Sequence, residues 1–125
     1  MDVAFTDREL DVMGVLWELG SGTVAEVQER LHDPLAYTTV LTVLRVLEEK
    51  GHVRHEEEGR AYRYYAVVDR EQAGASALRR LVRKVFRGSP EHLLTHLVAE
   101  RGVTPEQLKR MKSLVEKRIR EGGSP

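Results

Sequence analysis

Thr38, Thr42, Arg45 and Glu49 recur at intervals of four, three and four residues in the stretch Ala36–Gly51. At roughly 100° per residue they fall within about 60° of one another on a helical wheel, while Val40, Val43, Leu44 and Leu47 occupy the opposite side. Short hydroxyls with methyls beside a guanidinium make a row that can approach base edges in a DNA major groove. The methyls suit thymine and the guanidinium suits guanine O6 and N7. A solvated helix surface has the same composition, so the flanking elements decide between the two.

Other residue types with chemical potential are few. His92 and His96 stand four apart, a spacing that can hold a metal, but no Glu follows His92 and no third ligand is evident nearby. An interface histidine among Leu93, Leu94, Leu97 and Val98 is the simpler account of His96, and no metal or cofactor is expected. His52 and His55 read as ordinary strand residues, and the histidines as a group offer a route to pH-sensitive dimerisation. Glu56-Glu57-Glu58 reads as a solvated hairpin end. The chain has no cysteine, Gly-rich phosphate loop or nucleophile elbow, so an enzyme is the poorest fit.

The elements that would carry the row follow from local signals. Thr6-x-x-Glu9 is a capping box opening a helix at Asp7, striped by Leu10, Met13, Leu16 and Trp17 and stopped at Gly20-Ser21-Gly22. Thr23 caps a short helix with Val24, Val27 and Leu31 inward; Pro34 breaks the chain before the Thr38 helix, which Gly51 ends. Residues 52–57 and 61–67 then read as strands around a turn at Glu58-Gly59-Arg60. Helix, short helix, turn, amphipathic helix and hairpin describe a winged helix-turn-helix over residues 1–68, with Arg60 at the wing tip, placed for phosphate or the minor groove.

Net charge is zero, but residues 1–67 hold 7 Lys/Arg against 13 Asp/Glu, while residues 68–125 reverse those numbers. An acidic first half opposes DNA binding. Against that, Arg45, Arg54, Arg60 and Arg63 are expected to cluster on the helix and hairpin that would face DNA.

Residues 69–125 read as three helices. Asp69 caps the first, and Ser89-Pro90 and Thr104-Pro105 open the others. Their apolar faces are too small for a core of their own and are expected to bury against a second copy of the chain. Leu78, Leu81, Val85, Leu93, Leu94, Leu97, Leu108, Met111 and Val115 are the expected dimer contacts. The basic run Arg79, Arg80, Arg83, Lys84 and Arg87 reads as a solvated face, as extra phosphate contacts or as a membrane-surface helix. The last helix is expected to fray over Glu121–Pro125. No apolar run is long enough to span a membrane, Met1-Asp2-Val3-Ala4 does not begin a signal peptide, and a cytoplasmic protein is expected.

The order of these elements, the run Tyr37-Thr38-Thr39-Val40-Leu41-Thr42-Val43-Leu44 leading to Leu47-Glu48-Glu49-Lys50-Gly51, and Tyr62-Arg63-Tyr64-Tyr65 resemble the penicillinase-repressor family from about Thr6 to Ile119. The resemblance implies a mainly α protein with a winged helix and a dimerisation tail. It also implies a homodimeric repressor of operator dyads, often at β-lactam-resistance genes. Tyr37, Thr38, Thr39, Thr42 and Arg45 would lie on its recognition helix and Arg60 on its wing. It further implies release when a membrane-bound sensor metallopeptidase triggers cleavage between Asn and Phe in the fifth helix. Here His96-Leu97 occupies that position and both residues differ. The cysteines of copper-responsive relatives are absent. A winged-helix module that binds protein instead of DNA is the alternative suited to the acidic first half.

Overall fold

The computed structural model describes residues 4–122. Among these the elements are α1 (Asp7–Leu19), β1 (Ser21–Thr23), α2 (Val24–Arg30), α3 (Tyr37–Glu49), β2 (Val53–Glu58), β3 (Ala61–Ala66), α4 (Arg70–Lys84), α5 (Pro90–Ala99) and α6 (Pro105–Arg120). The chain is mainly helical, as expected, and forms two compact units that divide between Arg80 and Leu81.

In the first unit, local chemistry sets the helix starts. Glu9 N–H donates to Thr6 Oγ1 while Thr6 N–H donates to Glu9 Oε1, and Thr23 and Glu26 repeat the arrangement at α2. Val12, Met13, Val15 and Leu16 of α1 pack with Val24, Val27 and Leu31, with Val40, Leu44 and Leu47 of α3, and with Val53 and Tyr64 of the sheet. Leu10 is a correction: it is exposed. The buried arc of α1 centres on Glu9, Val12 and Leu16, and Leu10 lies about 120° from Leu16 on the wheel. Trp17 flanks the core, edge-on to Phe5 and donating from Nε1 to the Val68 carbonyl at 2.9 Å.

A strand stands where the sequence indicated only a loop. β1 pairs antiparallel with β3 (Gly22 opposite Tyr64), giving the order β1-β3-β2. Three residues are too few to show a period. Gly22 is buried, and a Cβ there would meet Val27 Cγ2 at 3.1 Å, so the small residue permits the packing. The hairpin turn is Gly59-Arg60, one residue shorter than expected, with Gly59 at a φ of 61°. Gly51, at a φ of 83°, turns the chain out of α3 so that His52 N–H reaches the Leu47 carbonyl.

Glu9 also ties the start of α1 to the end of α3. Lys50 Nζ lies 3.0 and 2.8 Å from its two carboxylate oxygens, with side-chain exposures of 40% for Lys50 and 5% for Glu9. Burial pushes the Glu9 carboxyl up, but the hydrogen bonds from Lys50 and Thr6 and the Lys50 charge outweigh it, leaving the group below its ordinary 4.5. Because the folded value is the lower one, this stabilisation is complete above the ordinary carboxylate range and is lost as pH falls through the folded value. Glu9→Gln is expected to cost about 1–2 kcal/mol at pH 7, since Lys50 can regain water, and the deficit should shrink as the medium is acidified. Urea denaturation at pH 7 and pH 3.5 checks both parts; a deficit independent of pH would contradict the ionic origin.

At the start of α4, Asp69 and Gln72 bond reciprocally, and Ala73 and Ser76 are buried. Leu78, which follows on the same helix, is exposed. In the second unit Leu81 and Val85 are exposed and Val82 is half-buried. Ser89 caps α5, and Thr104 with Gln107 boxes the start of α6, each followed by proline as expected. No described residue of α5 or α6 is buried: Leu93, Leu108 and Met111 are half-covered, whereas Leu94, Leu97, Val98, Leu114, Val115 and Ile119 face outward. The rings of Phe86, His92 and His96 gather with centroids 5.1 to 5.2 Å apart. The segment expected to fray lies partly, at residues 123–125, outside the described residues, as do the first three residues of the chain. No described helix is long and apolar enough to cross a membrane.

Candidate nucleic-acid interface

Helix α3 divides as its periodicity requires. Val40, Leu44 and Leu47 are buried, Val43 is half-buried, and Thr38, Thr42, Arg45 and Glu49 are exposed together. Tyr37 is exposed at the first turn, and Thr39 is half-buried on the flank. The inner face is anchored on α1, α2 and the sheet, so the outer row has a rigid mount. Thr42 Oγ1 donates to the Thr38 carbonyl at 2.9 Å. Its hydroxyl proton is therefore committed, and the side chain offers an acceptor and a methyl group instead of a donor.

Arg45 and Arg60 make no ion pair with any described residue; Arg60 stands exposed in the hairpin turn. The other two local arginines correct the expected cluster. The register sets Arg54, Glu56 and Glu58 beside Tyr65, Arg63 and Ala61 on one face of the sheet, and His55 and Glu57 beside Tyr64 and Tyr62 on the other. Arg63 donates from Nε and Nη2 to Glu58 and from Nη1 to Glu26, each at 2.9 Å, with Ser21 Oγ at 3.3 Å. Glu58 and then Glu26 hold its guanidinium charged well above the ordinary range. In return, Arg63 lowers the Glu58 carboxyl, and the Thr23 backbone N–H followed by Arg63 lowers Glu26. Arg54 donates to Glu56 at 2.9 Å and lies over the Tyr65 ring, 4.4 Å from its centroid. Arg54 and Arg63 thus brace the sheet's outer face.

His55 carries a contact that its place in a strand did not suggest. Its Nδ1 lies 2.8 and 2.7 Å from the two carboxylate oxygens of Glu48 on α3, joining the wing to the helix. A pair seven residues apart across a turn leaves no periodic signal.

Comparison with known proteins agrees with this architecture. A family model described as penicillinase repressor matches residues 5–117. The transcriptional regulator BlaI of Mycobacterium tuberculosis H37Rv is 34% identical over 123 residues, spanning 95% of this chain and 88% of that protein. A solution structure of the DNA-binding domain of the repressor BlaI matches with a TM-score of 0.51 at 32% identity, covering 58% of this chain and 93% of that one. A second solution structure, of monomeric Bacillus licheniformis BlaI in complex with the blaP half-operator, matches with a TM-score of 0.50 at 31% identity, covering 58% and 90%. The chain belongs to the penicillinase repressor family, whose members are transcriptional repressors and not enzymes.

Proposed function

We propose that this DNA-binding repressor acts in the cytoplasm as a homodimer on a palindromic operator. Thr38, Thr39, Thr42 and Arg45 read the major groove, and Tyr37 and Arg60 hold the sugar-phosphate backbone. The observation that supports this reading best is the exposed Thr38–Thr42–Arg45 row on a helix whose opposite face is buried, with Arg45 free of ion pairs among the described residues. The dimer forms through Leu78, Leu81, Val85, Leu93, Leu94, Leu97, Leu108, Met111 and Val115, in a tail domain beginning at residue 69. The regulated genes are of the β-lactam-resistance type, and a membrane-bound sensor metallopeptidase prompts release. Cleavage at His96-Leu97 would have to open α5, since both residues lie inside that helix.

Selection from random duplexes tests the central claim. The full chain should enrich a dyad with half-sites about one helical turn apart, as two-fold related recognition helices require. Binding without enrichment at low salt would instead favour a protein-interaction module.

A further inference from the structure

We propose that His55 is a positioning residue for Arg45: by holding the Glu48 carboxylate against the wing, it keeps the Arg45 guanidinium open to DNA. The proposal deepens the reading of Arg45 as a base-contacting residue and rests on it.

Arg45 is followed by Glu48 three residues on and Glu49 four residues on, the spacings at which oppositely charged side chains meet on a helix. A guanidinium locked onto a neighbouring carboxylate has no fork to present to guanine. An arginine that reads bases from this helix must therefore be kept from its own acids. Among the described residues neither glutamate bonds to it. Both glutamates follow the base, the less favourable order, and Glu49 lies exposed to water. Glu48 is drawn to His55 instead, the two side chains being 32% and 34% exposed.

The imidazole is itself held in place. Its ring lies 4.4 Å from that of Tyr62 and 5.5 Å from that of buried Tyr64. Glu48 from α3 and Tyr62 and Tyr64 from β3 touch it, Glu57 shares its face of β2, and Arg45 and Tyr37 from α3 act with Glu48 on the neighbouring Tyr64. Arg45 and Glu48 share this neighbourhood: after burial, Glu48 raises the Tyr64 hydroxyl and Arg45 lowers it. Holding Glu48 requires a proton on His55 Nδ1.

The test uses the full chain and measures affinity for the duplex recovered by selection and for its single-base variants at the position opposite Arg45. His55→Ala should weaken binding about three- to tenfold and blur discrimination at the base opposite Arg45, a size typical of coupling between neighbouring groups. Glu48→Gln should bind at least as tightly as the wild type, and adding His55→Ala to it should then cost nothing. His55→Asn, which keeps a donor, should restore most of the affinity and of the discrimination. An equal loss from His55→Ala in both backgrounds would reduce His55 to packing and overturn the proposal, as would a His55→Asn chain that binds as weakly and discriminates as poorly as His55→Ala. A wild-type chain that selects no sequence would instead overturn the reading of Arg45 itself.

Discussion

Arg45→Ala is expected to weaken operator binding by about 1–3 kcal/mol, roughly 5- to 150-fold, and to relax preference at one base position in each half-site. The side chain is exposed on α3 and bonded to no described residue, so its loss should leave thermal stability nearly unchanged and fall on binding. Arg45→Lys should restore little, because an ammonium is a point charge and cannot reproduce the bidentate fork. Arg60→Ala serves as the comparison within the same experiment. A residue on the backbone weakens all sequences alike and lowers the salt slope by about one, leaving base preference intact. Competition binding with single-base operator variants at two salt concentrations separates the two patterns. Unchanged affinity and preference in Arg45→Ala would place the reading face elsewhere.

How much of this could be read from the residues depended on the distance between interacting groups. The capping boxes at Thr6, Thr23 and Thr104 are complete within three residues; the first was legible as a box, and the other two as caps without their partners Glu26 and Gln107. So was the division of α3, because a helix repeats its faces every turn and the buried trio Val40, Leu44 and Leu47 follows that period. Pairings over longer separations left no such trace. β1 is too short to alternate, and its partner lies some forty residues away in β3. Arg63 looked like a cation available to DNA because neither its approach to Glu26 nor the sheet face it shares with Glu58 is visible in the order of residues. The link from Glu9 to Lys50 likewise exists only once α1 and α3 have packed.

These pairings also bear on the acidic first half. Glu9, Glu26, Glu56 and Glu58 are each paired with a Lys or Arg of the same unit, so several carboxylates are locally balanced. The same bonds engage Lys50, Arg54 and Arg63, however, leaving Arg45 and Arg60 as the first unit's unpaired arginines on the helix and hairpin proposed to meet DNA. With so few phosphate contacts available, one copy should bind weakly and with a shallow salt dependence.

Replacing Leu94 and Leu97 together by glutamate is therefore expected to have the larger effect of the two principal substitutions. These side chains are 44% and 45% exposed in the single chain, so charging them should cost the isolated fold little. In a dimer that buries α5, each copy would bring two unpaired carboxylates into an apolar seam, a burden that hydrophobic contact cannot offset. The double variant should sediment as a monomer with an unchanged circular dichroism spectrum. Its affinity for the dyad should fall by about 10²- to 10⁴-fold, because the second half-site is then met from solution and no longer at the high effective concentration of a tethered partner. Its affinity for an isolated half-site should remain close to that of the wild type. A double variant that still sediments as a dimer would remove α5 from the interface. A monomer that holds the dyad as tightly as the wild type would show that the two winged helices do not need each other.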